Sequence, residues 1–105
     1  MAVTELEKLK EYLDENGYVS VYNDIFGKDD QIIVFDKENL DIRLWDAVCH
    51  RNSYGYNRGL LEIYGCLCND VIGWLTAEDV IKILKNYEKT GEIIDVLPDD
   101  DEEEE

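Results

Sequence analysis

Catalytic signatures are what this sequence most plainly lacks. It has one histidine, His50, and no G-x-S-x-G, P-loop or G-x-G-x-x-G pattern that would place a nucleophile or cradle a phosphate. Cys49 precedes that histidine directly, and in a strand two adjacent side chains face apart, so they make no nucleophile–base pair. The chain therefore reads as a binding protein and not as an enzyme.

Long apolar runs are missing too. The longest is only a few residues, so neither a transmembrane span nor a signal-peptide core is expected, and the reading is cytoplasmic. Cysteine is scarce and odd in number: Cys49, Cys66 and Cys68. An odd count argues against a secreted disulfide framework and for reduced thiols packed as small apolar groups. The alternative is a zinc site built from Cys49, His50, Cys66 and Cys68. It departs from the usual C-x₂₋₄-C spacing, so no metal and no cofactor is expected.

Basic residues are the last shortage. Ten lysines and arginines face 26 acidic residues, a formal net charge of −16. The last seven residues, Asp99 to Glu105, are all acidic; without them 19 acids face the same 10 bases, a balance of −9 over residues 1–98. The body is thus acidic in its own right. Such a field repels nucleic acid and anionic membranes and attracts basic partners.

What is present is the material of one small domain. The 105 residues, 45% of them hydrophobic, suit a single core without staples. Residues 1–97 are expected to form it, and 98–105, after the lone proline Pro98, an acidic disordered tail. Thr4 to Glu7 fits a capping box, Leu6, Leu9 and Leu13 follow a helical period, and Gly17 closes the helix. Tyr18–Tyr22 and Gln31–Phe35 read as strands separated by a turn around Gly27. Leu40 to Gly65 reads as a long hairpin: Leu40, Ile42 and Leu44 look inward on the first strand, and Leu61 and Ile63 on the return. Val71–Leu75 is a short strand. Thr76 opens a second helix, with Ala77, Val80, Ile81, Leu84 and Tyr87 at helical spacing, and Gly91 ends it. Residues 92–97 read as an edge strand or extended chain. The expected class is α+β: an antiparallel sheet of four to five strands with an N-terminal and a C-terminal helix packed on it.

Three groups of residues are candidates for partner binding. The body acids Asp24, Asp29, Asp30, Asp36, Glu38 and Asp41 sit at turns and element ends. They are either ordinary solvated loop acids or carboxylates fixed so as to imitate a phosphate backbone, which needs them on one face. The hairpin tip carries Arg51, Tyr54, Tyr56 and Arg58, residue types that dominate binding hot spots. The other reading has these tyrosines fold back on the sheet and the arginines pair with the domain's own acids. The tail, with Asp99, Asp100, Asp101 and Glu102, is either a solubilising extension or an electrostatic lure for a basic groove.

The segments SYGYNRGLLEIYG and VIGWLTAEDVIKIL, within Leu40 to Leu84, resemble small proteins encoded by phages and prophages of Gram-positive bacteria. In size and charge the chain is similar to anti-CRISPR proteins, several of which inhibit Cas9 as DNA mimics. The resemblance implies an inhibitor whose partner is the Cas9–guide RNA complex and which binds no DNA itself. It assigns no residue a role. The alternative is an interaction module for another basic host protein, such as a polymerase, a nucleoid protein or a repair protein.

Overall fold

The computed structural model describes residues 4–68 and 71–91. The fold is α+β, in the order α1 (Glu5–Glu15), β1 (Val19–Asn23), β2 (Gln31–Asp36), β3 (Asn39–Val48), a 3₁₀ turn (Tyr56–Arg58), β4 (Leu61–Gly65), β5 (Ile72–Leu75) and α2 (Ala77–Thr90). The five strands form one antiparallel meander, β1-β2-β3-β4-β5.

Alternation along the strands sends one set of side chains to each face of the sheet. Ile32, Val34, Trp45, Ala47, Leu61, Ile63 and Leu75 join Leu6, Leu9, Leu13, Val80, Ile83 and Leu84 of the helices in one core. Both helices therefore cover the same face; Gln31, Ile33 and Val48, which alternate to the other, are buried as well. Ile83, absent from the helical pattern read in the sequence, is fully buried; Ile81, which was in it, is only half-buried.

The helices begin as their sequences require. Thr4 and Thr76 each close a capping box, with Glu7 and Asp79 returning to the cap backbone. Asp is shorter than the usual Glu, yet its Oδ2 still accepts the Thr76 N–H at 3.0 Å. Replacing Thr76 by alanine removes the hydroxyl that accepts the Asp79 N–H and should cost about 1 kcal/mol. Chemical denaturation of the variant reads that loss directly. Glu5 also accepts the Ala77 N–H at 2.7 Å, and Tyr18 donates its hydroxyl to Glu88. These two contacts join α1 to α2 at one end of the sheet and the start of β1 to α2 at the other.

The Leu40–Gly65 hairpin is real but lopsided. β3 pairs with β4 only through Trp45–Val48, and its longer partner is β2. Leu40 and Ile42 do not face the core, contrary to their alternating pattern; both are exposed. The cause is register. Phe35 pairs with Arg43 and Asp36 with Asn39, so Leu40, Asp41 and Ile42 have no opposite residues on β2 and bulge out. Cys49 and His50 lie past the end of β3, in a loop and not in a strand. The expected edge strand at 92–97 and the acidic tail lie outside the described residues.

Candidate functional site

A meander sends its turns to two ends. The β1–β2 turn, the 49–60 loop and the N-termini of both helices share one end; the β2–β3 turn lies at the other. The six candidate body acids are split between them. Asp24, Asp29 and Asp30 are at the first end, and Asp36, Glu38 and Asp41 at the second. The length of β2, roughly 17 Å, separates the groups.

Asp30 is turned inward, unlike Asp24 and Asp29. Its side chain is buried, and its two oxygens accept the N–H groups of Ile25, Phe26 and Gly27 at 2.7, 2.9 and 2.8 Å. Burial by itself raises a carboxyl's pKa, but these donors outweigh it and hold Asp30 below its ordinary value. The residue is the internal scaffold of the turn. It leaves Asp29 and Asp24 exposed on that turn, with Asp24 accepting the Asp29 N–H at 2.7 Å. At the far end Asp36 is half-buried and accepts the Glu38 N–H, while Glu38 and Asp41 are exposed.

The structure also brings together acids that lie far apart in the chain. The Tyr22 phenol is raised from its ordinary value by burial first, then by the charges of Glu7, Asp29 and Asp14. Glu7 of α1 and Asp29 of the β1–β2 turn line one cleft with Tyr22 and Lys28. Glu7 and Asp14 were not among the sequence candidates. A helical wheel places both on the exposed side of α1, but only the tertiary fold sets Glu7 beside the turn. Lys10 partly offsets the group through a 2.7 Å pair with Asp14.

The tip residues are exposed at Arg51, Tyr54, Tyr56 and Arg58, while Ser53 and Gly55 are buried beneath them. The Arg51 guanidinium lies 4.3 Å from the Phe26 ring centre, and His50 meets the same ring edge-on at 4.9 Å. The tip is therefore clamped to the β1–β2 turn through Phe26. It also closes on β5: a Cβ on Gly73 would lie 2.3 Å from Tyr54 Cβ, and one on Gly55 would lie 3.1 Å from Trp74 Cα.

Chemically, the one thiol among the described residues at this end is not activated. A cleft of about 410 Å³ between α1 and the loops is lined by Lys28, Asp29, Asp30, Cys49 and Arg58, among others. The Cys49 thiol is pushed up by burial and by the Asp30 charge, so it stays protonated at neutral pH. Burial also raises Cys66, against a partly offsetting hydrogen bond from Tyr87. Cys49 and His50 precede the 49–60 tip, and Cys66 and Cys68 follow β4 at the opposite end. Among the described residues no group of three or more His, Cys, Asp or Glu side chains could hold a metal ion. No helix among them is long and apolar enough to cross a membrane. The tail candidates Asp99, Asp100, Asp101 and Glu102 lie outside the described residues.

Comparison with known protein families, with curated proteins and with solved structures finds no match in any of the three.

Proposed function

We propose that this protein is a phage-encoded, non-enzymatic inhibitor that acts in the bacterial cytoplasm. It binds a basic nucleic-acid-binding protein by offering fixed carboxylates in place of a phosphate backbone. The Cas9–guide RNA complex is the foremost partner. The observation that carries this reading is the meeting of Glu7 on α1 and Asp29 on the β1–β2 turn beside Tyr22, in one cleft that they line together. One of these acids stands on a helix and the other on a turn held by Asp30, so the charges are placed before any partner arrives. Pre-placed charge loses little freedom on binding.

The chemistry suits such a target. Cas9-type enzymes read the PAM with arginines and hold the heteroduplex in a positive channel. A chain of net charge −16 is steered toward both surfaces. The test is interferometry on a purified Cas9–guide complex at low and moderate salt, with and without prebound target DNA. The expected result is binding that weakens with salt and is blocked by the DNA. Binding indifferent to DNA removes phosphate mimicry. No binding at either salt removes this partner and turns the search to other basic host proteins.

A further inference from the structure

The side of the sheet away from the helices carries three exposed aromatic side chains: Tyr54 at 61%, Tyr64 at 56% and Trp74 at 55% of their full exposure. Tyr54 and Tyr64 flank Glu62, and Trp74 stands opposite it on the neighbouring strand. Tyr64 follows Glu62 by two residues on β4, so both point to the same face, about 6.5 Å apart along the strand. On β5, Leu75 pairs with Leu61 and Ile72 with Ile63, which leaves Gly73 and Trp74 together opposite Glu62 as a bulge. Tyr54 donates its N–H to Glu62 Oε1 at 2.8 Å and packs its Cβ over Gly73. Asp46, directly across from Tyr64 on β3, adds a second carboxylate, with Oδ2 accepting from Gln31 Nε2 at 2.5 Å.

Trp74 sharpens the point. Its φ is +63°, a left-handed conformation that a bulky residue adopts only under constraint. The strain gains the fold little packing, since most of the indole stays in water. It keeps an exposed indole on the bulge opposite Glu62.

From this arrangement we infer that the Glu62 face binds an arginine side chain presented by the basic partner. The inference deepens the proposed function and rests on that reading for the identity of the partner. A guanidinium is planar, stacks on aromatic rings and forks onto a carboxylate; an ammonium does only part of this. Nucleic acid does not fit, because its phosphates would meet Glu62 and Asp46. A purely apolar segment does not fit either, because it would strip water from both carboxylates and return nothing.

The molecule supplies its own reference signal. Trp45 is 3% exposed and faces the helices. In a nitrogen–proton spectrum the two indole resonances report the two sides of the sheet. Titration with a tetra-arginine peptide should move the Trp74 resonance saturably and leave Trp45 in place. Tetra-lysine should need about fivefold more peptide, and Glu62→Gln should weaken tetra-arginine binding by about fivefold. Gln keeps an oxygen for the Tyr54 N–H, so the loop survives the change. An unmoved Trp74 resonance, equal response to both peptides, or an unaffected Glu62→Gln variant overturns the inference. Trp74→Gly separates it from the partner proposal. Glycine accepts the left-handed φ, so the variant should melt no lower than wild type yet bind the Cas9–guide complex at least about tenfold more weakly. A complex that forms with unchanged affinity in Trp74→Gly removes the arginine site and keeps the partner. A Trp74 response to tetra-arginine with no Cas9 binding does the reverse.

Discussion

Replacing Asp30 by alanine is expected to destabilise the fold by roughly 3 kcal/mol, more than any other single exposed-loop acid would. The reason is the three N–H groups of Ile25, Phe26 and Gly27 that its carboxylate satisfies. Hydrogen bonds to a charged acceptor are the stronger kind, and alanine leaves all three donors without one. The turn then loses the contact that sets Asp24 and Asp29, and the packing of Phe26 against His50 and Arg51 loosens with it. Asp30→Asn keeps one oxygen and should fall between wild type and alanine. The acid dependence has a definite sign. Asp30 is held below its ordinary value when folded, so its charge stabilises the native state fully at neutral pH. That contribution begins to shrink as pH drops past the unfolded value of about 3.9 and is gone below the folded one. Urea titrations of wild type and Asp30→Ala at pH 7 should therefore differ most, and the gap should narrow as pH is lowered through this range. A gap that is small at pH 7 or constant with pH would remove Asp30 as the organiser of the turn.

Much of this fold is legible in the chain because its local signals agree. Both capping boxes, the glycines that follow the helices and the apolar spacing of Leu6, Leu9 and Leu13 are local, and each is found where it was read. Leu40 and Ile42 show the limit. Their alternation is that of a buried strand, but burial depends on what lies opposite, and the three-residue bulge against β2 is invisible in a periodic pattern. Asp30 shows a second limit. Asp29 and Asp30 are adjacent and chemically alike, and nothing in their neighbours tells which carboxylate turns inward. The backbone decides it: Asp29 takes the left-handed φ of +55° and stays exposed, and Asp30 follows beneath the turn. The meeting of Glu7 and Asp29 beside Tyr22 is a long-range product of packing α1 beside β1. The placing of aromatics near Glu62 depends in the same way on a bulge and on two glycines that let the tip close on β5.

The two ends of the sheet now make opposite predictions for the acidic contact. The triple change Glu7→Gln, Asp14→Asn, Asp29→Asn should weaken binding to the basic partner by roughly 100-fold at physiological salt and flatten the salt dependence. Its design spares the fold. Gln serves as well as Glu in the Thr4 capping box, and Asn tolerates the left-handed backbone that Asp29 occupies. Only the Lys10–Asp14 pair is lost, an exposed contact of small worth. The matching triple at the far end, Asp36→Asn, Glu38→Gln, Asp41→Asn, removes the same formal charge. If attraction came from net charge alone, the two triples would weaken binding equally. If the charges around Tyr22 form the contact, the far-end triple should stay within about threefold of wild type, since carboxylates roughly 17 Å away are beyond a Debye length at physiological salt. Tyr22 gives a check that needs no partner: the first triple should bring its phenol part of the way down toward the ordinary value, leaving the share due to burial, and the second should not. A first triple that lowers Tyr22 but leaves affinity intact would place the acidic contact elsewhere. A far-end triple that proves the more damaging would move it to the protruding β2–β3 turn, where Leu40 and Ile42 stand exposed beside Asp41.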